Sequence, residues 1–275
     1  MSPAPDLSIV IVNYNARAHL ENCLASLAAP PPAIAHDITV IDNASSDGSA
    51  DAVRARWPAV TVLEQPANVG FAAGNNVGIR ASRGALVLLL NNDTLVPAGA
   101  VDALVEALER HPDAAIAGPR LVDESGRTEL SFGPMISPLN ELRQKWTVAL
   151  HRRRFAPVSR LVERASTRER YVDWVSGACL LVRRADAEQA GLLDERFFLY
   201  TEDVDFCAAM RARGRRVLFS PAARIVHLRG RSRSTAPAQM NAAYRRSHLA
   251  FYDKHHPRWA PLLRLYLRMK GQLPR

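Results

Sequence analysis

The chain has 275 residues, 48% of them hydrophobic, with three cysteines and a formal net charge of +9. That composition suits a globular chain of one large domain or two small ones and excludes a disordered one. The odd cysteine count, wide spacing and lack of a C-x-x-C pair argue against a disulfide framework or a zinc site, and so for a reducing compartment.

A pI near 10.1 suits anionic partners: nucleic acid, phosphorylated ligands or an acidic membrane surface. The positive excess is uneven; from Phe206 onward the only acid is Asp253. The start "MSPAPDLSIVIV" lacks a basic region before its apolar run, so a signal peptide is not expected. No segment approaches the roughly 18–20 apolar residues that a membrane span needs.

Residues 7–13, "LSIVIVN", read as a strand buried on both faces. Residues 16–29 carry apolar positions at helical spacing, and "PPP" at 30–32 stops them. Strand 37–43, helix 45–56 and strand 59–65 follow. Helix 70–82 is expected despite its glycines, then strand 85–90, helix 97–111 and strand 113–120. Strand and helix alternate four times, which predicts an α/β fold with a mostly parallel sheet. Beyond it, 122–128 reads as a hairpin turn and 151–170 as a basic, irregular, mobile loop. Residues 171–184 read as a strand kinked at Ser176 and Gly177, and 197–214 as a loop leading into a helix. Two short strands at 215–220 and 223–228 and helices at 238–256 and 260–270 complete the reading.

Ligands of parallel sheets bind beyond the carboxyl ends of the strands. Three polar clusters fall there: "NYN" (13–15), "DNASSDG" (42–48) and "NND" (91–93). One such cluster is an ordinary turn; three at one sheet edge suggest a site.

The segments "SIVIVNYN", "VIDNASSDGS", "NVGFAAGNNVGI", "LLLNNDT", "WVSGACLLVRR" and "GLLDERFFLYTEDVDFCAAMRARG", then "ARIVHLRGRS", stand in an order that resembles the family 2 glycosyltransferases. Within that family they are most similar to bacterial rhamnosyltransferases of cell-surface polysaccharide assembly. The resemblance implies a GT-A fold over 1–235. Its Rossmann-like nucleotide-sugar-binding half is 1–120 and its acceptor and catalytic half 121–235, with a basic helical segment at 236–275. It implies sugar transfer from a nucleoside-diphosphate donor to a glycan or lipid-linked glycan hydroxyl, with Mg²⁺ or Mn²⁺. The first expectation for the donor is dTDP-rhamnose, with UDP sugars left open. The expected place is the cytoplasm, peripheral on the inner face of the membrane.

The reaction needs a neutralised diphosphate, a base for the acceptor hydroxyl and an aligned nucleotide. Divalent metals of this kind prefer carboxylate oxygen, and Asp93 stands at a strand end where a diphosphate can sit. The family's Asp-x-Asp pattern is Asn91-Asn92-Asp93 here, so one carboxylate is missing. The resemblance makes Asp93 the metal ligand, with Asn91 a neutral partner toward the ribose and Asn92 beside it. It gives His227 a place on the metal or the diphosphate. Arg229, Arg231 and Arg233 either meet phosphate or form a solvated face. It assigns the base to Asp203, with Glu202 next to the acceptor; carboxylates this close raise one another's pKa. The carboxylate of Asp42 can accept a pyrimidine N–H or a ribose hydroxyl, and Val12 and Tyr14 would flank the base. Gly70 and Gly74 would admit the ligand close to the backbone or serve helix packing, with Asn75 as a further nucleotide-sugar contact. Trp174, beside the Ser176–Gly177 corner, is either an acceptor-side ring or a core residue.

One base carboxylate without a separate nucleophile favours a single inverting displacement. A sugar nucleotidyltransferase is the rival enzyme, but strand one runs into "NYNARAHL" without the glycine-rich loop of that family. A non-catalytic basic protein binding membrane or nucleic acid explains the charge but not the three polar clusters. Nucleic acid is therefore not an expected partner, whereas an anionic membrane surface is.

Overall fold

The computed structural model describes residues 5–228 and 237–274. The first half alternates as expected: β1 (Leu7–Asn13), α1 (Arg17–Ala28), β2 (His36–Asp42), α2 (Ser49–Arg56), β3 (Thr61–Glu64), α3 (Phe71–Ala81) and β4 (Leu86–Asn91). A two-residue strand β5 (Thr94–Leu95) precedes α4 (Ala100–Glu109) and β6 (Ala114–Val122). The second half holds β7 (Phe132–Gly133), α5 (Pro138–Arg152), α6 (Ala156–Ala165), β8 (Arg170–Val172), β9 (Trp174–Val175) and β10 (Cys179–Arg183). It ends with α7 (Arg184–Gln189), α8 (Glu202–Ala212), β11 (Arg216–His227), α9 (Pro237–His255) and α10 (Ala260–Met269).

The main sheet runs β3-β2-β1-β4-β10-β6-β11-β5, with β8 also on β11. The pairs among β3, β2, β1 and β4 are parallel, as is β6 with β11, while β10 is antiparallel to both neighbours. Both faces of the central strands are covered, which is why their sequences are continuously apolar. Along β1, Ile9 and Ile11 join the core under α1 and α4, while Val10 and Val12 join the core under α3 and α8. Helix α3 tolerates its glycines because it lies directly on β1; a Cβ at Gly78 would collide with Val10 Cγ1.

Three expectations need correction. Residues 151–170 are not a loop; they hold the end of α5 and all of α6, whose Val158, Val162 and Ala165 recur at helical spacing among the arginines. The kinked strand at 171–184 is three separate strands: β8 pairs with β11, β9 with β7, and β10 with β4 and β6, and between β9 and β10 Gly177 N bonds to Asp203. The strands at 215–220 and 223–228 are one strand, β11, with a register shift between Ser220 and Arg224. The two expected C-terminal helices are present as α9 and α10, and Phe251, Tyr252 and Ala260 are buried in the cluster that contains Phe206 of α8.

The hairpin at 122–128 is present, closed by the Val122–Thr128 bridge. All three cysteines are buried and unbridged. No helix among the described residues is long and apolar enough to cross a membrane.

Candidate active site

The three polar clusters meet because β1, β2 and β4 end in register. Asn13 pairs with Asp42 across β1 and β2, and Val12 with Asn91 across β1 and β4. Asn92 Nδ2 donates to Asn13 Oδ1 (2.8 Å), and Asn13 Nδ2 donates to Asp42 Oδ1 (3.2 Å). Ser45 N donates to Asp42 Oδ2 (2.9 Å). One hydrogen-bonded string therefore joins all three strand ends. Asp42 departs from the expected open acceptor: it is 1% exposed, and both of its oxygens brace this string. Tyr14, just past β1, is the exposed aromatic ring at this edge. Buried Asn91 Oδ1, Asn43 Oδ1 and Asn75 Oδ1 have no hydrogen-bond partner. Buried acceptors are normally satisfied, so three orphans around one sheet edge suit a ligand that brings donors.

Strand β11 brings the second half to this edge. His227 pairs with Thr94 of β5, and Leu228 N donates to Asp93 O (2.9 Å). His227 Nε2 then lies 3.3 Å from Asp93 Oδ1. Ligands at right angles in the octahedral shell of Mg²⁺ sit about 3 Å apart, so these two atoms fit adjacent positions on one ion. On the far side of the ring, His227 Nδ1 lies 3.2 Å from Glu129 Oε2. A carboxylate behind a ligating histidine fixes its ring and tautomer. Burial opposes a charge on His227, but Asp93 and Glu129 outweigh it and raise the pKa to about 9. Burial likewise opposes the charge on Asp93, yet His227, with His19 of α1 adding to it, keeps that carboxyl below its usual value. Among the described residues no three His, Cys, Asp or Glu side chains converge as a metal cage. Asp93 and His227 therefore suit an ion whose shell a diphosphate and water complete.

Glu202 and Asp203 open α8. Tyr200 and Thr201, just before them, both take positive φ (70° and 66°), a strained approach of the kind found at functional sites. Glu202 is buried, with Oε2 unpartnered; burial, and then repulsion from Asp203, push its pKa well above the ordinary value. Asp203 is half-buried and accepts from Gly177 N at Oδ2 (2.7 Å) and Val204 N at Oδ1 (2.8 Å). Burial raises its pKa too, against those two N–H groups. The link to the donor edge is short: Asn91 N donates to Ala178 O (2.9 Å), and the next residue back, Gly177, holds Asp203. Ser176, on the same corner, offers its hydroxyl oxygen to Ala178 N (3.3 Å).

The remaining expected site residues make contacts within the protein. Gly70 makes its close approach to protein: a Cβ there would lie 2.6 Å from Phe198 O, and Phe71 N donates to that carbonyl (2.7 Å). Gly74 is packed on Val12, whose side chain is buried in the core. Asn75 is buried, with Nδ2 donating to Phe71 O (2.9 Å). Trp174 is the core alternative: buried, stacked on Gly133, with Nε1 donating to Pro134 O (2.9 Å). Arg229, Arg231 and Arg233 lie outside the described residues. Glu129 and His19 escape sequence reasoning; both reach the site by long-range folding, and neither sits in a recognisable motif.

The profile described as "Glycosyltransferase like family 2" matches residues 3–260. The chain belongs to glycosyltransferase family 2. The transferase is 33% identical over 287 residues to the N-acetylglucosaminyl-diphospho-decaprenol L-rhamnosyltransferase of Mycobacterium tuberculosis, covering 95% of this chain and 89% of that one. Among solved structures it resembles the mannosyltransferase PcManGT from Pyrobaculum calidifontis in complex with GDP-Man and Mn²⁺ (TM-score 0.62, 19% identity, 95% of this chain and 69% of that one). It also resembles GalNAc-T7 with UDP, GalNAc and Mn²⁺ (TM-score 0.60, 16% identity, 83% and 44%). At these identities the structures establish the shared GT-A fold of the transferase.

Proposed function

We propose that this glycosyltransferase moves L-rhamnose from dTDP-rhamnose, with inversion, to a hydroxyl of a lipid-linked diphosphate glycan. The observation that carries the reading is the bonded path Asn91–Ala178–Gly177–Asp203, which ties the donor edge of the sheet to an acid at a helix start. The donor and acceptor classes come from the rhamnosyltransferase relative.

Asp93 and His227 would hold a Mg²⁺ or Mn²⁺ ion, which neutralises charge on the departing nucleoside diphosphate. Asp203 takes the proton of the acceptor hydroxyl as that oxygen bonds to the anomeric carbon and the bond to the diphosphate breaks. Asp203 suits this role better than Glu202 because it is the less buried of the two. Burial, and then repulsion from Asp203, disfavour the charged form of Glu202, which favours Asp203 as the charged member of the pair. Tyr14 is exposed where a nucleobase would lie, while Asp42, Asn13 and Asn92 keep the strand ends in place.

The test is nucleoside diphosphate release from a panel of dTDP, UDP and GDP sugars, with and without Mn²⁺, using a prenyl-diphosphate N-acetylglucosamine acceptor. Metal-dependent release that is greatest with dTDP-rhamnose and lost in Asp203→Asn supports the reading. Release from another donor overturns the choice of sugar. Unchanged turnover in Asp203→Asn overturns the base. Product NMR showing the donor's own anomeric configuration overturns the inversion.

A further inference from the structure

Two helices outside the catalytic edge carry unusual surfaces. On α5, Leu139, Leu142 and Trp146 are all exposed. Their spacing of three and four residues places them on one stripe. On α10, Trp259, Leu262 and Tyr266 are exposed at the same spacing. The sequence groups Leu262, Leu263, Tyr266 and Leu267 on one face; the structure divides them, turning Leu263 and Leu267 toward the protein and Leu262 and Tyr266 away. Large apolar side chains in contiguous stripes mark an interaction site, whereas isolated ones mean little.

The two stripes start side by side. His256, at the corner between α9 and α10, bonds through Nε2 to the carbonyl of Ile136, two residues before α5 begins (2.6 Å). Glu141 of α5 is held from the protein side by His248 (2.9 Å) and by the Tyr252 hydroxyl (2.6 Å). Glu141 lies around the helix from Leu139, Leu142 and Trp146, so anchoring it turns the stripe outward.

The charge around these stripes is mostly positive. Residues 138–170 contain nine Lys and Arg against three acids, and 258–275 contain five and no acid. Arg143 flanks the α5 stripe, and Arg268 and Lys270 follow along α10; all are exposed and pair with no carboxylate among the described residues. A second copy of the chain would set these cations against their own kind, which disfavours pairing. A surface of anionic lipid complements them, and Trp and Tyr favour the depth of its headgroups.

We propose that α5 and α10 together dock the transferase on an anionic phospholipid bilayer, with both stripes in the interface. Helix α9 would carry that contact to the catalytic acids: Lys254 and His255 bond Asp205 of α8, two residues past Asp203 (2.9 and 2.6 Å). The inference goes beyond the proposed reaction, because phospholipid vesicles contain no glycan acceptor. Its failure is therefore distinguishable from failure of the donor or acceptor assignment.

The experiment is co-sedimentation of the full chain with vesicles of phosphatidylglycerol and phosphatidylcholine, or of phosphatidylcholine alone. The expected result is a partition at least about tenfold greater on the anionic vesicles, weakening as salt is added. Leu142→Ser with Trp146→Ser, and separately Leu262→Ser with Tyr266→Ser, should each lower that partition at least about tenfold, or about 1.4 kcal/mol. Circular dichroism and nucleotide binding should stay unchanged in both variants. Equal binding to the two vesicle types overturns the proposal. So does an effect confined to one helix. Size-exclusion light scattering that shows a dimer broken by the same substitutions, with no vesicle binding, assigns the stripes to a second copy and also overturns it.

Discussion

Replacing Gly70 with alanine tests how the donor side positions the catalytic acids. Gly70 has φ 88° and ψ 176°, a region that essentially only glycine occupies. Holding alanine there costs about 1–3 kcal/mol. The added Cβ also meets Phe198 O at 2.6 Å and Phe198 Cδ2 at 2.7 Å, the first of which is backbone and cannot rotate away. Overpacking of this kind costs a further ~1–3 kcal/mol. The sum, about 2–6 kcal/mol, is a large part of a typical folding stability of ~5–15 kcal/mol. The segment that must yield is 197–201, which leads directly into Glu202 and Asp203. Urea unfolding followed by tryptophan fluorescence should show a loss of at least ~2 kcal/mol. Turnover of the still-folded fraction should fall as well, because the Phe71 N–Phe198 O bond no longer fixes that segment. A stability change under about 1 kcal/mol with turnover intact would refute the reasoning.

Three other substitutions probe the site. Asp93→Ala should lower metal-dependent turnover by more than about tenfold, a loss above roughly 1.4 kcal/mol, with secondary structure unchanged by circular dichroism. Glu129→Gln should weaken Mn²⁺ affinity about 10–100-fold in a calorimetric titration of the nucleotide-bound protein, since it removes the carboxylate behind His227; unchanged affinity would make Glu129 merely structural. Glu202→Gln should stabilise the protein in a pH-dependent way. With its pKa raised on folding, Glu202 holds a proton in the native state where the unfolded chain has released it, so native stability falls as pH rises from about 4.3 toward the raised value. The melting-temperature advantage of the glutamine variant should widen over that window and close below it; a gap independent of pH would contradict the assignment.

The parallel half of the fold is legible because its information is local. Buried strands such as 85–90 and the Pro-led helix at 97–111 carry their own patterns, and the polar clusters at 13, 42 and 91 fall at strand ends whatever the tertiary detail. The second half is less legible for physical reasons. Strands of two residues, such as β5 and β7, are too short to show a period. In α6, Arg160 and Arg164 interrupt a short apolar pattern of which only Val162 is buried. Gly70 looks like a ligand contact because close approach leaves the same mark whether the neighbour is a phosphate or Phe198. Glu129 acquires its place only when a hairpin folds against a strand nearly a hundred residues later.

The clamp on Asp205 bears on how the enzyme is made. That carboxylate is 2% exposed and is met by Lys254 and His255, both on α9. A buried charge stripped of its partner costs about 3–5 kcal/mol. During synthesis, at roughly 5–20 residues per second, α8 is complete seconds before those cations have been joined to the chain. Throughout that interval Asp205 is without its two cationic partners. A chain that ended before Lys254 would hold Asp93, Glu202, Asp203 and His227 and would lack both cations that neutralise Asp205.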